Sequence, residues 1–253
     1  MYLRHPPAQL PSPTVSSALE RRELLKAVYE EARNCTRCPL HQARTTVVFG
    51  AGNADADLMF IGEAPGANED RIGLPFVGQA GKLLDKLLDE IGLGRADVFV
   101  INTIKCRPPD NRDPHPNEIQ ACHDYLLRQV ALIEPTVICT LGNFSTKLLR
   151  AETTGISKLH GQEEVRIIGS RAVHLYPLYH PAAALYTPSM LATLRSDFHR
   201  IPQLLALGPP EQPPSLDPLP EVELEDRGPI EDVVGAAPEL PDGEPAAAQL
   251  GLF

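Results

Sequence analysis

No apolar run in this chain approaches the length needed to span a membrane, and neither end resembles a targeting peptide, so insertion and secretion are not expected. Cysteine is scarce, with five in 253 residues. In a long chain without a secretory signal a disulfide framework is not expected either. Aromatic residues are almost absent after Gly208, where prolines crowd and eleven acids stand against one base, Arg227. Such a segment cannot bury enough apolar surface to offset its ordering entropy, so residues 208–253 are expected to form a disordered acidic tail. The tail's net charge of −10 equals that of the whole chain, which leaves residues 1–207 balanced at 22 acids and 22 bases. Residues 1–18, rich in Pro and Ser, read as a shorter disordered arm.

What remains, residues 19–207, is long enough for one sizeable core. Helical patterns run over Ala18 to Arg33, Gln79 to Ile91, Pro116 to Ile133, Asn143 to Leu149 and Ala182 to Ala206. Strand-like runs occupy Leu58 to Ile61, Val98 to Asn102, Val137 to Leu141, Val165 to Ile168 and His174 to Leu178. Short β-rich runs each followed by a helical stretch predict parallel strands joined by right-handed crossovers. The expected fold is α/β, a three-layer α/β/α sandwich with a central, mostly parallel sheet of about four strands. A site is expected at the carboxyl ends of the strands, where Glu63, Asn102 and His180 fall.

Cys35 and Cys38 form a C-T-R-C pair, and Cys106 and Cys122 a second pair with fifteen residues between them. C-x-x-C spacing puts two thiolates on one side of a tight turn, and four soft ligands suit either a [4Fe–4S] cluster or zinc. The wide second pair favours the cluster, because structural zinc commonly takes two close pairs. Cys139 lies in the apolar run Thr136-Val-Ile-Cys-Thr-Leu141 and reads as a small core residue.

Four longer motifs follow in order: G-E-A-P-G-A-N-E-D from Gly62, G-L-P-F-V-G-Q-A-G-K-L-L-D from Gly73, N-T-I-K-C-R-P-P from Asn102 and H-P-A-A-A-L from His180. Together with the four cysteines they resemble the family 4 uracil-DNA glycosylases, over about Cys35 to Leu205. The resemblance implies a DNA-repair hydrolase that flips uracil out of single- or double-stranded DNA and cleaves its N-glycosidic bond. It also implies a [4Fe–4S] cluster on Cys35, Cys38, Cys106 and Cys122. A monomeric, cytoplasmic, nucleoid-associated prokaryotic protein is expected.

By the same resemblance Phe76 is the ring on which uracil stacks, Asn102 reads the base edge and His180 donates to the leaving base, with Gly62 and Ala64 lining the pocket. An asparagine amide can both donate and accept, which separates uracil from cytosine. Phe76 could be an ordinary core aromatic, but Gly73, Pro75 and Gly78 around it point to an exposed loop. Better-known relatives carry G-Q-D-P-Y, with an aspartate where this chain has Ala64 and a tyrosine where it has Gly66, so water activation and thymine exclusion must come from elsewhere. Glu63 and Glu69 are the carboxylates that could orient water or brace the pocket. Glu63 reads as architecture, accepting backbone N–H groups, and Asp70 as a loop or cap residue.

Phosphate contacts are expected from Gly78, Gln79 and Lys82 at a helix amino end and from Lys105, Arg107, Arg112 and His115 in the loop beside the second cysteine pair. Leu185, or Tyr186 beside it, is the expected wedge into the vacated base position. The Arg-rich, histidine-bearing insertion of relatives that trap uracil-DNA covalently is absent, which favours turnover. At the carboxyl end Gln249, Leu250, Leu252 and Phe253 resemble the Q-L-x-L-F peptide that docks on the β sliding clamp. An iron–sulfur redox protein and a non-catalytic DNA or clamp adaptor are the competing readings, and neither needs Phe76, Asn102 and His180 in that order.

Overall fold

The computed structural model describes residues 17–214. Helix α1 (Ala18–Arg33) opens on a capping box, in which the Ser17 hydroxyl accepts the Glu20 N–H and the Glu20 carboxylate accepts the Ser17 N–H at 2.7 Å. Ser17 and Ala18 therefore belong to the folded unit, not to the arm expected over residues 1–18.

Six strands, β1 (Ala51–Gly52), β2 (Leu58–Gly62), β3 (Val98–Asn102), β4 (Val137–Leu141), β5 (Glu164–Ile168) and β6 (Arg171–Leu178), form one sheet in the order β1-β3-β2-β4-β6-β5. The four central strands run parallel, as expected, and the count rises to six because an antiparallel strand closes each edge. Edge strand β5 departs from the crossover rule: it returns directly to β6 through Gly169 and Ser170, a turn in which Gly169 takes φ +64°.

The helices are α2 (Ala67–Ile72), α3 (Gln79–Glu90), α4 (Pro116–Ile133), α5 (Asn143–Arg150), α6 (Ile156–Leu159), α7 (Pro181–Ala184), α8 (Pro188–Phe198) and α9 (Ile201–Leu205). The single helix expected over Ala182 to Ala206 is three, because Pro188 and Pro202 each sit in a first turn, where a missing N–H is tolerated, and cannot continue the helix before them.

Strand alternation feeds two apolar layers. Met59, Ile61, Phe99 and Ile101 pack with Leu25 and Val28 of α1 and Leu126 and Val130 of α4. Leu58, Phe60, Val98 and Val100 pack on the opposite side with Leu84 and Leu87 of α3 and Leu194 and Phe198 of α8. Cys139 is fully buried in the second layer, as its sequence context predicts. The chain extends past the boundary expected at 207: Gly208 O faces the His174 ring at 3.1 Å, and the Gln212 amide pairs with both backbone groups of Ala172, at 3.1 and 3.0 Å.

Sequence order places β3 on one side of β2 and β4 on the other. The strand order thus reverses beside β2, and the carboxyl ends of β2, β3, β4 and β6 surround the crevice this leaves.

Candidate active site

Strands β2 and β3 stay locked together beyond the ladder, with Gly62 opposite Asn102 and the Thr103 N–H donating to Gly62 O at 3.0 Å. This puts the G-E-A-P-G turn next to Asn102, and a cavity of about 410 Å³ opens there with Glu63, Phe76, Asn102 and His180 in its wall. Gly62 has to be glycine, since a Cβ would run into Asn102 Oδ1 and come within 2.7 Å of the Phe76 ring.

Phe76 is not on an exposed loop. It is 7 % exposed, and its backbone takes φ +55°, a conformation that a non-glycine residue keeps only when its surroundings impose it. Three groups do so. Glu69 Oε1 accepts the N–H groups of Val77 and Gly78 at 3.0 and 2.9 Å. Arg95 donates to the Phe76 carbonyl at 2.9 Å. Gly81 lets α3 approach that carbonyl, where any Cβ would collide with it. Arg95 belongs to no motif, and only its position before β3 in space reveals this role.

Asn102 ends β3 at 2 % exposure, and its Oδ1 is buried without a hydrogen-bond partner among the described residues. A buried, unsatisfied acceptor in a cavity wall is an open position for a ligand N–H.

His180 follows β6 and begins α7. Its Nδ1 accepts the Ala182 N–H at 3.1 Å, which leaves the ring proton on Nε2. Burial lowers its pKa to about 4, against a weaker opposing effect of the Glu69 carboxylate, so the imidazole is a neutral donor at physiological pH. Its ring stacks beside Phe76 with centroids 5.6 Å apart.

Of the two carboxylates, it is Glu69 and not Glu63 that accepts backbone N–H groups. Glu69 braces the Phe76 turn. The Glu63 carbonyl accepts the Thr103 hydroxyl and, at 3.3 Å, the Ile104 N–H, whereas its carboxylate accepts no hydrogen bond from the described residues and stands between this cavity and a neighbouring one of about 310 Å³. Burial, reinforced by Asp113, raises its pKa. Ala64 lines the same cavity as Glu63. Asp70, read as a loop or cap residue, is buried and accepts the Thr45 N–H at 3.0 Å.

Of the expected DNA contacts, Gln79 and Lys82 are exposed on the first turn of α3, which Gly78 caps, and Lys82 lines a cleft of about 710 Å³ that shares the Phe76 turn with the base cavity. Arg112 lies in the wall of the base cavity and forms a two-pronged pair with the buried Glu118 at 2.9 and 2.7 Å. Arg107 is held by Asn111 at 2.8 Å. Lys105 requires correction: it is 2 % exposed and donates to the Asn102 carbonyl at 2.8 Å, because its loop folds under the cysteines, so its ammonium cannot reach a phosphate. Leu185, the expected wedge, is half-buried against the α3–α8 layer, whereas Tyr186 beside it is 88 % exposed. Gln249, Leu250, Leu252 and Phe253 lie outside the described residues.

Cys35, Cys38, Cys106 and Cys122 line one enclosed cavity between α1, α4 and the 105–106 loop. Among the described residues no three potential ligands converge on a point for a single ion. Donors face the sulfurs: Arg44 reaches Cys106 Sγ at 3.3 Å, the Lys105 N–H reaches Cys122 Sγ at 3.3 Å and the Arg37 N–H reaches Cys35 Sγ at 3.5 Å. Burial raises the thiol pKa of Cys38 and Cys106 and pushes Cys122 up to about 11.

A mostly parallel sheet, with a cavity at its carboxyl ends lined by a phenyl ring, an open amide acceptor and a neutral imidazole donor, defines an α/β protein with a pocket at its topological switch point. The family model described as "Uracil DNA glycosylase superfamily" matches residues 49–202. The chain is 46 % identical to the "Type-4 uracil-DNA glycosylase" of Saccharolobus solfataricus over 190 residues, 73 % of this chain and 88 % of the relative. The protein of that name from Archaeoglobus fulgidus is also 46 % identical, over 187 residues, 72 % of this chain and 94 % of the relative. That of Thermotoga maritima is 43 % identical over 166 residues, 65 % of this chain and 85 % of the relative. The chain belongs to the uracil-DNA glycosylase superfamily, among its type-4 members.

Proposed function

We propose that this protein hydrolyses the N-glycosidic bond between uracil and deoxyribose in DNA, releasing the base and leaving an abasic site. The observation that carries the reading is the meeting of Phe76, Asn102 and His180 in one cavity. A base must leave the stack to reach it. Once inside, uracil stacks on Phe76, its N3–H fills the open Asn102 Oδ1 and its O4 accepts from the same amide. Cytosine presents an acceptor and a donor at those positions and is mismatched at both.

Bond cleavage develops negative charge on the base and positive charge on the sugar. The His180 Nε2–H stabilises the departing anion by hydrogen bonding without becoming an imidazolium, as its lowered pKa favours. The Glu63 carboxylate, which accepts no hydrogen bond from the described residues, is the group that orients the attacking water. Ala64 has no side-chain oxygen for that task. Glu69 acts through the Phe76 turn it braces. Gly78, Gln79, Lys82, Arg107, Arg112 and Tyr186 hold the flanking strand.

The four-cysteine cavity suits a [4Fe–4S] cluster: four soft donors line it, and N–H groups and an arginine face the sulfurs as anionic thiolates require. Bound there, a cluster would serve as a clamp that ties α1 and α4 to the loop carrying Arg107 and Arg112. The carboxyl-terminal Gln249-Leu-Gly-Leu-Phe253 docks the protein on a sliding clamp in this reading, on the strength of its motif alone.

The test is incubation of the iron-loaded protein with a uracil-containing oligonucleotide and a thymine control. Uracil release with thymine retained is expected. No release from protein with a full complement of iron would overturn the reading.

A further inference from the structure

Lys105 is among the largest fully buried side chains of the protein, and the ionisable groups acting on it are the thiols of Cys106 and Cys122 rather than a carboxylate. A buried ammonium without a carboxylate partner is costly unless another anion compensates it. Its backbone is pinned on both sides, by the Lys105 N–H to Cys122 Sγ at 3.3 Å and by the Val48 N–H to Lys105 O at 2.8 Å. From that anchored position the side chain lines the cysteine cavity and turns back three residues, so that Nζ donates to the Asn102 carbonyl at 2.8 Å. Asn102 is the residue whose amide acceptor stands open in the base cavity. One side chain therefore touches the walls of both sites.

We propose that Lys105 is a positioning residue that couples the cysteine cage to base recognition: a loaded, anionic cage holds the ammonium, and the ammonium holds the end of β3 so that the Asn102 amide faces the base. The inference rests on the glycosylase reading and on the cysteines carrying a cluster. A hydrogen bond from a charged donor is stronger and shorter than a neutral one, so its loss frees the strand end more than loss of an ordinary contact would. Coupling of this kind is reciprocal: if the cage orders Asn102 for uracil, uracil must perturb the cage by the same free energy.

The test uses the iron-loaded full chain and free uracil as the probe. In the unsubstituted protein uracil should change the visible circular dichroism of the cluster. Lys105→Met, of similar length and uncharged, should keep its iron, bind free uracil about tenfold more weakly, in the range found for residues one shell out from a metal, and lose the spectral response. Affinity for undamaged DNA should be unchanged. Lys105→Met with full iron and unaltered uracil affinity and response would overturn the proposal. If that variant loses its iron, the unsubstituted protein decides: a spectral response to uracil supports coupling, and a silent spectrum rejects it. Failure of the glycosylase reading is distinguishable, since the unsubstituted, iron-loaded protein would then release no uracil at all.

Discussion

The Phe76 ring and the His180 imidazole lie side by side, their centroids 5.6 Å apart and their planes inclined by 28°. One ring belongs to the turn before α3 and the other to the residue that caps α7, two positions past β6, so the two rings are set by separate elements that meet only in the fold. Gly142, after β4, completes the contact: a Cβ there would sit 3.1 Å from the His180 Cβ, at a backbone φ of +93° that disfavours one in any case.

The pH dependence of excision should bear the mark of Glu63 and not of His180. With a pKa of about 4, His180 stays neutral as pH falls from 7 to 5, and its donor N–H is retained throughout. Glu63, raised by burial and by Asp113, loses its charge at a higher pH than an ordinary carboxylate. The acid limb of kcat/KM should therefore lie above the usual carboxylate range and move down in Asp113→Asn. His180→Ala should slow excision about a hundredfold without removing that limb. A limb near 6.5 that disappears with His180 would contradict this assignment. Stability follows the same sign: between pH 6.5 and 4 the unfolded imidazole binds a proton that the folded one refuses, so stability falls as pH decreases through that window.

Glu69→Ala should act through the turn it braces. Leaving the N–H groups of Val77 and Gly78 without their acceptor costs about 1–3 kcal/mol, to be read as a lower thermal midpoint together with weaker inhibition by free uracil. Glu69→Gln keeps an acceptor oxygen and should recover most of both. If Glu69→Ala melts like the unsubstituted protein while excision collapses, the carboxylate takes part in the chemistry instead.

Deleting Gln249 to Phe253 should abolish binding to the β sliding clamp and leave excision from a short oligonucleotide unchanged, since the described domain contains the whole base cavity. Clamp affinity measured by surface plasmon resonance decides it, and an undiminished value would remove the tail from the account.

Much of this architecture is legible in the sequence because local chemistry and tertiary position agree. The bounds of α1 and α4 follow from the Ser17-x-x-Glu20 capping box and from Pro116 in a first turn. Central strands buried on both faces read as unbroken apolar runs. The hairpin joining β5 to β6 has a local signal, a Gly-Ser pair between two β-rich runs, which the strand–helix alternation of the rest of the chain hides. Strand β1 had none, being two residues long and half glycine. The site fared likewise. Phe76, Asn102 and His180 converge as their motifs imply, but a lysine in a polar loop reads as solvent-facing, and nothing local says that Lys105 turns inward. Which of Glu63 and Glu69 is occupied by backbone donors depends on where the Phe76 turn lands, a tertiary fact.

Gln212 grips Ala172 at the amino end of β6, and His180 lies just past the carboxyl end of the same strand. Eight residue-to-residue steps of extended chain lead from one position to the other, roughly 25 Å at the rise of a strand. The last described contacts of the polypeptide thus lie at the opposite pole of the sheet from the cavity that receives the base. A partner that touches the protein at Gln212 therefore leaves the mouth of the cavity uncovered.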